Sequence, residues 1–459
     1  MSSRPSYQLT RYDVGSVSEV WSLSWPLMLA YFSQAMMFFV DRLVLGRVSV
    51  SAMNAATNAG CSFWGVLIIP FVLAATGEVF VGKYHGEASL AKTSRPTWQV
   101  IWFSLACVPF FALAAPLLAQ YLFASTGNST NESAYFIPLC MASPLFIMSV
   151  GFSGFFTGIG KTKHVTASSV IANVANILLA IYFVLYQNMG CRGAALAGVI
   201  AQSMQLVYYA SIFFSSKYRK EYGSGCWNFS TTECKPFISV GGPSAISKQI
   251  EMAAHMTFMQ IMARSGLENM TALTLAWNIL LLTGFFIDAL SKGAGAVISN
   301  VVGAKRDDLI PRVLWAGIKL QMLLTGLLAL MLIPFARQFI ELYITAETRA
   351  HLDIELVCGM VQKSLGWLLI FYLFDGFSWI FFGYFAAKSD TKYVMYVNAI
   401  MNWAAYVGPI WIAVNYFGAA SDTAWIIMAF YNVLMFSCYF VRYKLKTRAP
   451  QEVAPEASA

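Results

Sequence analysis

Apolar runs of at least about 18 residues, each long enough to cross a ~30 Å hydrocarbon core as a helix, recur about a dozen times along the chain between short polar segments. They lie near 20–45, 53–82, 97–120, 134–157, 165–187, 192–214, 236–263, 270–302, 311–334, 357–386, 393–415 and 423–441. A long polar interval, "SSKYRKEYGSGCWNFSTTECK" at 215–235, divides them six and six. The pattern predicts an all-α integral membrane protein with twelve transmembrane helices in two six-helix bundles, 20–214 and 236–442. A cytoplasmic N-terminus (1–19), the 215–235 linker and a disordered cytoplasmic tail (443–459) complete the expected organisation.

Composition sharpens this picture. Only 11% of residues are charged and 58% are apolar, against about a quarter charged in soluble domains. The opening "MSSRPSYQLTRYDVGSVSE" lacks the short apolar core and small-residue cleavage site of a secretory signal, so the first helix is expected to direct insertion. With both termini in the cytoplasm, twenty Lys and Arg fall on the cytoplasmic side and six outside, the asymmetry that orients multi-pass proteins. The net charge of +8 then reflects topology and anionic lipid headgroups, and no nucleic-acid partner is expected. Six of the eight cysteines sit in or beside spans, where Cys packs as a small apolar residue. Cys226 and Cys234 fall in the predicted cytosolic linker, without an oxidising setting for a disulfide or further ligands for zinc.

The halves repeat. An offset of 217 aligns Pro26, Arg47, Met53, Ala55, Thr57 and Ala59 with Pro243, Arg264, Met270, Ala272, Thr274 and Ala276, six identities in 34 gapless positions. Gly77 to Gly86 matches Ala294 to Gly303, each ending an even-numbered helix before a basic loop. "FFTGIGKTKHV" at 155–165 resembles "FFGYFAAKSDTKYV" at 381–394, and an Asn pair follows each, Asn173 with Asn176 and Asn398 with Asn402. Six spans is an even number, so the halves share one orientation and a pseudo-two-fold axis runs along the membrane normal. Parallel repeats of this kind place a substrate site between the halves, near the bilayer midplane.

Charges interrupt the apolar spans. Asp41 breaks "MMFFVDRLVLGR" (Met36 to Arg47) at a depth where a charge costs roughly 2.5 to 3.5 kcal/mol. Other deep or semi-deep ionisable residues are Lys248, Glu251 and His255 on the seventh helix, Asp288 and Lys292 on the eighth, Lys319 on the ninth, and Lys363 and Asp375 on the tenth. At about 100° per residue, Lys248, Glu251 and His255 share one stripe, Asp288 and Lys292 another, and Gln34 and Asp41 a third. Gln34 is the repeat image of Glu251, so Asp41 and Glu251 are both expected to face one cleft. Such carboxylates serve an ion-coupled pump, because burial disfavours their charged form and a nearby cation favours it. The contrary reading is a permanent ion pair, Asp288 with Lys292 or Glu251 with Lys248. "GIGKT" at 158–162 lacks the spacing of a phosphate loop, and His85, His164, His255 and His351 lie far apart. Neither ATP hydrolysis nor metal catalysis is therefore expected, and no cofactor is required.

In these residues the chain resembles the multidrug and toxic compound extrusion (MATE) transporters, specifically the bacterial NorM-like branch. The resemblance covers nearly all twelve spans, through "SWPLMLAYFSQAMMFFVDRLVLGR", "GGPSAISKQIEM", "NVANILLAIYFVLYQNMGCRGAALAGV" and "FYLFDGFSWIFFGYFAAKSDTKY". It implies two bundles about a V-shaped cleft in a secondary active antiporter, not an enzyme. Such a protein exports amphipathic, cationic organic compounds across the bacterial inner membrane in exchange for H⁺ or Na⁺. It also implies ion coupling at Asp41, Glu251 and Asp375, with Asn176 as the polar residue of the fifth helix. Gln34, Asn176, His255 and Tyr372 are expected to line the cleft, with Lys248, Asp288, Lys292 and Lys363 in its charge network. The chain departs from the family pattern at Ala180, Phe371 and Ser291. A lysine one turn from Glu251 occupies the place of a coupling cation, which favours H⁺ over Na⁺ at Glu251 and Asp375. The expected partners are a small organic substrate and the lipid bilayer, and the protein is expected to work as a monomer. The alternative on the same fold is an exporter or flippase of an anionic or zwitterionic metabolite or lipid-linked cargo, with the lysines as anion contacts. A membrane enzyme or channel is the alternative of a different class, and no catalytic constellation supports the former.

Overall fold

The computed structural model describes residues 7–343, 354–418 and 420–448; His351 and the tail beyond Arg448 lie outside them. Among the described residues there is no strand. The first bundle comprises α1 (Val17–Val48), α2 (Ser51–Gly86), α3 (Arg95–Phe123), α4 (Ser129–Met141 joined to Ser143–Gly158), α5 (Thr162–Tyr186) and α6 (Gly190–Phe213). The second comprises α7 (Thr231–Met262), α8 (Leu267–Gly303), α9 (Ile310–Tyr343), α10 (Ile354–Ala387), α11 (Thr391–Phe417) and α12 (Ser421–Arg448). Ten of these helices are long and apolar enough to cross a bilayer, and α4, bent by 47°, makes an eleventh. The twelfth is α7, whose Lys248, Glu251 and His255 lower its hydropathy; it packs against α11 of its own bundle and α2 of the other.

Two expected boundaries move. The 215–235 interval is not a plain linker: it contains a short helix, Ser216–Tyr222, and its last residues open α7. Tyr218 and Tyr222 anchor that helix, buried against the rings of Phe155 and Phe156. At the other end α12 runs on to Arg448 instead of stopping at 442. Its last turns gain a partner: Arg442 and Lys446 both reach Asp390, at 3.1 and 2.8 Å. Desolvation works against the Asp390 charge, but these two cations hold its carboxyl below the usual range.

The internal repeat is visible in how helices touch. Within the bundles, α1 packs on α5 as α7 packs on α11. Asn173 Nδ2 donates to Ser33 Oγ (2.7 Å) in the first pair, and Asn398 Nδ2 donates to Ser247 Oγ in the second. Both α5 and α11 contain a π-helical turn, Ile181–Tyr186 and Asn402–Val407, an irregularity that concentrates at functional positions.

Between the bundles, α1 meets α8 and, symmetrically, α7 meets α2. These contacts need glycine, because only a residue without Cβ lets backbones approach this closely. A Cβ on Gly293 would overlap Ser24 Oγ, and one on its counterpart-side Gly241 would lie 3.0 Å from Thr76 Oγ1. Nearer the loops, a Cβ on Gly86 would overlap the Asn300 carbonyl oxygen, and one on Gly303 the Lys83 carbonyl oxygen. Gly86 and Gly303 are 217 positions apart, so the repeat builds one symmetric crossing. Asn300 Nδ2 also donates to the Gly158 carbonyl (2.8 Å), and Lys83 Nζ to Ser389 Oγ (3.2 Å). The two bundles are thus sealed at the end that carries the basic loops.

Gly86→Ala and Gly303→Ala should each insert a methyl into a backbone contact and cost about 1–3 kcal/mol of overpacking. At Gly284 nothing lies within 4 Å of the added carbon, so Gly284→Ala should be silent. Thermal melting of the purified protein in detergent checks this: the midpoint drops by several degrees in the first two variants and stays in place in the third.

Candidate functional site

A cavity of about 760 Å³ lies between the bundles above this seal. Gln34 faces it from α1, Glu78 from α2, Lys248, Glu251 and His255 from α7, Asp288 and Lys292 from α8, and Asp375 from α10. The expected stripe on α7 is therefore real: spacing of three and four residues points three ionisable side chains one way. Gln34 and its repeat image Glu251 line the same space.

On the α7 side, Lys248 Nζ lies 2.6 Å from Glu251 Oε1 and 4.3 Å from the centre of the Trp379 ring. His255 stacks on Trp277, with centroids 4.2 Å apart. The Ser291 hydroxyl donates to the Trp379 carbonyl (2.9 Å), so the residue that departs from the family pattern ties α8 to α10. Phe371, another departure, lines the cavity and packs edge-on against Trp425. Asp288 and Asp375 form no ion pair among the described residues.

Lys292 does not pair with Asp288. Its ammonium lies 3.5 Å from Glu78 Oε2, on the opposite bundle. Glu78 was absent from the residues singled out above, although "GEVFV" places it inside an apolar stretch. It lies in the first turn after the Thr76 irregularity of α2 and lines the cavity.

Asp41 stands apart from the cavity. It is 8% exposed, because the last turns of α1 pack against α2, α5 and its π turn. With its amide oriented to satisfy both neighbours, Asn176 donates to Asp41 Oδ1 (2.9 Å) and accepts from the Gly198 N–H (3.1 Å). Asp41 and Asn176 are thus a pair within the first bundle, and neither faces the cleft as expected. Tyr372 is also placed differently: its ring is in the core and its hydroxyl donates to the Thr283 carbonyl (3.0 Å). Lys363 and Lys319 project from the outer surface, away from the charge network. Their long stems let the ammonium groups reach the membrane interface. Among the described residues no group of three His, Cys, Asp or Glu could hold a metal ion.

Comparison with known proteins supplies the context for this geometry. The MatE family model matches the chain twice, over residues 26–182 and 243–409, and the two matches begin 217 positions apart, the offset of the internal repeat. "Probable multidrug resistance protein NorM" of Pasteurella multocida is 21% identical over 398 residues, 82% of each chain. The protein of the same description in Shewanella oneidensis is 23% identical over 399 residues, 83% of each chain. Among solved structures, a multidrug resistance MATE transporter in an outward-facing conformation superposes with a TM-score of 0.87 at 18% identity, covering 97% of this chain and 98% of the other. A MOP superfamily transporter from Pyrococcus furiosus does so at 0.86 and 17%, with the same coverage. Matched in both halves and sharing the two-bundle fold, the chain belongs to the MatE family of membrane transporters and is similar to the bacterial NorM proteins.

Proposed function

We propose that this transporter is a proton-coupled antiporter that exports amphipathic organic cations across the bacterial inner membrane. The charge balance of the cavity carries this conclusion. Its two lysines are engaged, Lys248 by Glu251 and Lys292 by Glu78, whereas Asp288 and Asp375 have no ion pair among the described residues. An anionic or zwitterionic cargo would meet lysines already neutralised; a cation meets unpaired carboxylates and aromatic faces, both of which attract it. The basic loops belong on the cytoplasmic side by the positive-inside rule, so the seal closes the cytoplasmic end and the cleft opens outward.

Proton coupling follows from two features. Asp41 is enclosed and hydrogen-bonded to Asn176, and it forms no ion pair among the described residues, a carboxyl group that can gain and lose a proton without moving. Glu251 already holds a tethered ammonium at 2.6 Å, so a sodium ion would have to displace it.

Asp41→Asn keeps shape and removes the titratable charge. Export of a confirmed substrate should fall to background while the purified variant stays monodisperse on size-exclusion chromatography. Asp375→Asn should likewise lose gradient-driven transport in proteoliposomes, and near-normal export by either variant would contradict the assignment. In inverted vesicles the wild type should respond to an imposed pH gradient and gain nothing from Na⁺. Lys248→Ala should acquire Na⁺ stimulation; strong stimulation of the wild type would remove proton coupling from the account.

A further inference from the structure

Lys292 lies on the cavity floor between two carboxylates that belong to different bundles. Glu78 on α2, 3.5 Å away, closes an ion pair across the bundle interface. Asp288 is one turn earlier on α8, about 40° round the helix, and lines the same cavity without an ion pair among the described residues. An acid four residues before a lysine is the favourable order for pairing along a helix. The other cavity cation, Lys248, is occupied by Glu251. When the bundles separate at the basic end, Glu78 leaves with the first bundle, whereas Asp288 stays within reach. A charge stranded at this depth is costly, so Lys292 needs a partner in both states.

We propose that Lys292 is a tethered counter-ion that changes partner as the transporter works, holding Glu78 while the basic end is sealed and Asp288 once it opens. The inference rests on the export function proposed above and assigns Glu78 a role there. In the sealed state Asp288 is open to the outside and takes up the coupling cation. On opening, Lys292 moves to Asp288, displaces that cation into the cytoplasm, and leaves Glu78 bare to receive the positive group of the cargo. On resealing, Lys292 returns to Glu78 and displaces the cargo outward. The charges balance: a coupling cation enters for each positive charge that leaves, and Lys292 stays protonated throughout. Glu78 and Asp288 are alternately loaded, so cargo and coupling ion never need to be bound together.

Spin labels at Lys161→Cys and Lys392→Cys, both exposed positions at the basic end of opposite bundles, in a background without native cysteines, report the distance across the seal by pulsed electron paramagnetic resonance. Glu78→Gln should shift the open-to-sealed ratio toward open by roughly tenfold or more, the usual size of such couplings. Adding Asp288→Asn to it should reverse most of that shift, because the open state then loses its partner for Lys292. The exchanged pair Glu78→Lys with Lys292→Glu keeps the lock and sets a carboxylate beside Asp288, so it should remain sealed. Opening by the exchanged pair, no shift in Glu78→Gln, or a further opening on adding Asp288→Asn would overturn the proposal. The readout uses neither cargo nor gradient, so a wrong cargo or coupling ion would leave its result unchanged, while failure of the Asp41→Asn prediction would leave the lock standing.

Discussion

A charge at mid-membrane depth persists only beside a counter-charge, a hydrogen-bond donor or water, and the placement of nearly every polar group in this protein answers to that constraint. Lys248 has Glu251 and the face of Trp379. Lys292 has Glu78. Asp41, shut away from the cleft, has the Asn176 amide. Asp288 and Asp375 have no ion pair among the described residues and line the cavity instead, where water and a positively charged ligand can reach them. The polar helix α7 is tolerable in a membrane for the same reason: its charged stripe faces the cleft, and the side it exposes carries apolar residues such as Ile246 and Met256.

The second organising feature is the symmetric seal. A two-fold repeat brings the same surface to the axis from both sides, so one glycine requirement in an ancestral half becomes two, Gly86 over the Asn300 carbonyl and Gly303 over the Lys83 carbonyl. The ion pair between Glu78 and Lys292 crosses the same interface between the bundles.

Much of this was legible in the sequence. Period and length of the apolar runs located twelve helices, and the 217-residue offset aligned Gly86 with Gly303 as repeat equivalents. The α7 stripe followed from helical spacing alone. What one-dimensional spacing could not convey was partner choice across the bundles: Asp288 and Lys292 lie one turn apart, yet the lysine is drawn to Glu78 because helices 2 and 8 meet on the axis. Nor could it tell how far a cleft extends along a helix. Asp41 and Gln34 share a face of α1, but the cavity reaches only Gln34, since the outer turns are covered by α2 and α5. Tyr372 shows the same limit, its hydroxyl being satisfied by the Thr283 carbonyl inside the bundle.

If cargo and coupling proton are held in the cleft alternately, binding one must accompany release of the other. The most direct measurement is proton release from the purified protein in weakly buffered detergent solution on addition of tetraphenylphosphonium, monitored with a pH indicator alongside calorimetric binding. The account predicts release in proportion to the cation bound, diminished in Asp375→Asn. Saturable binding with no proton released would contradict it.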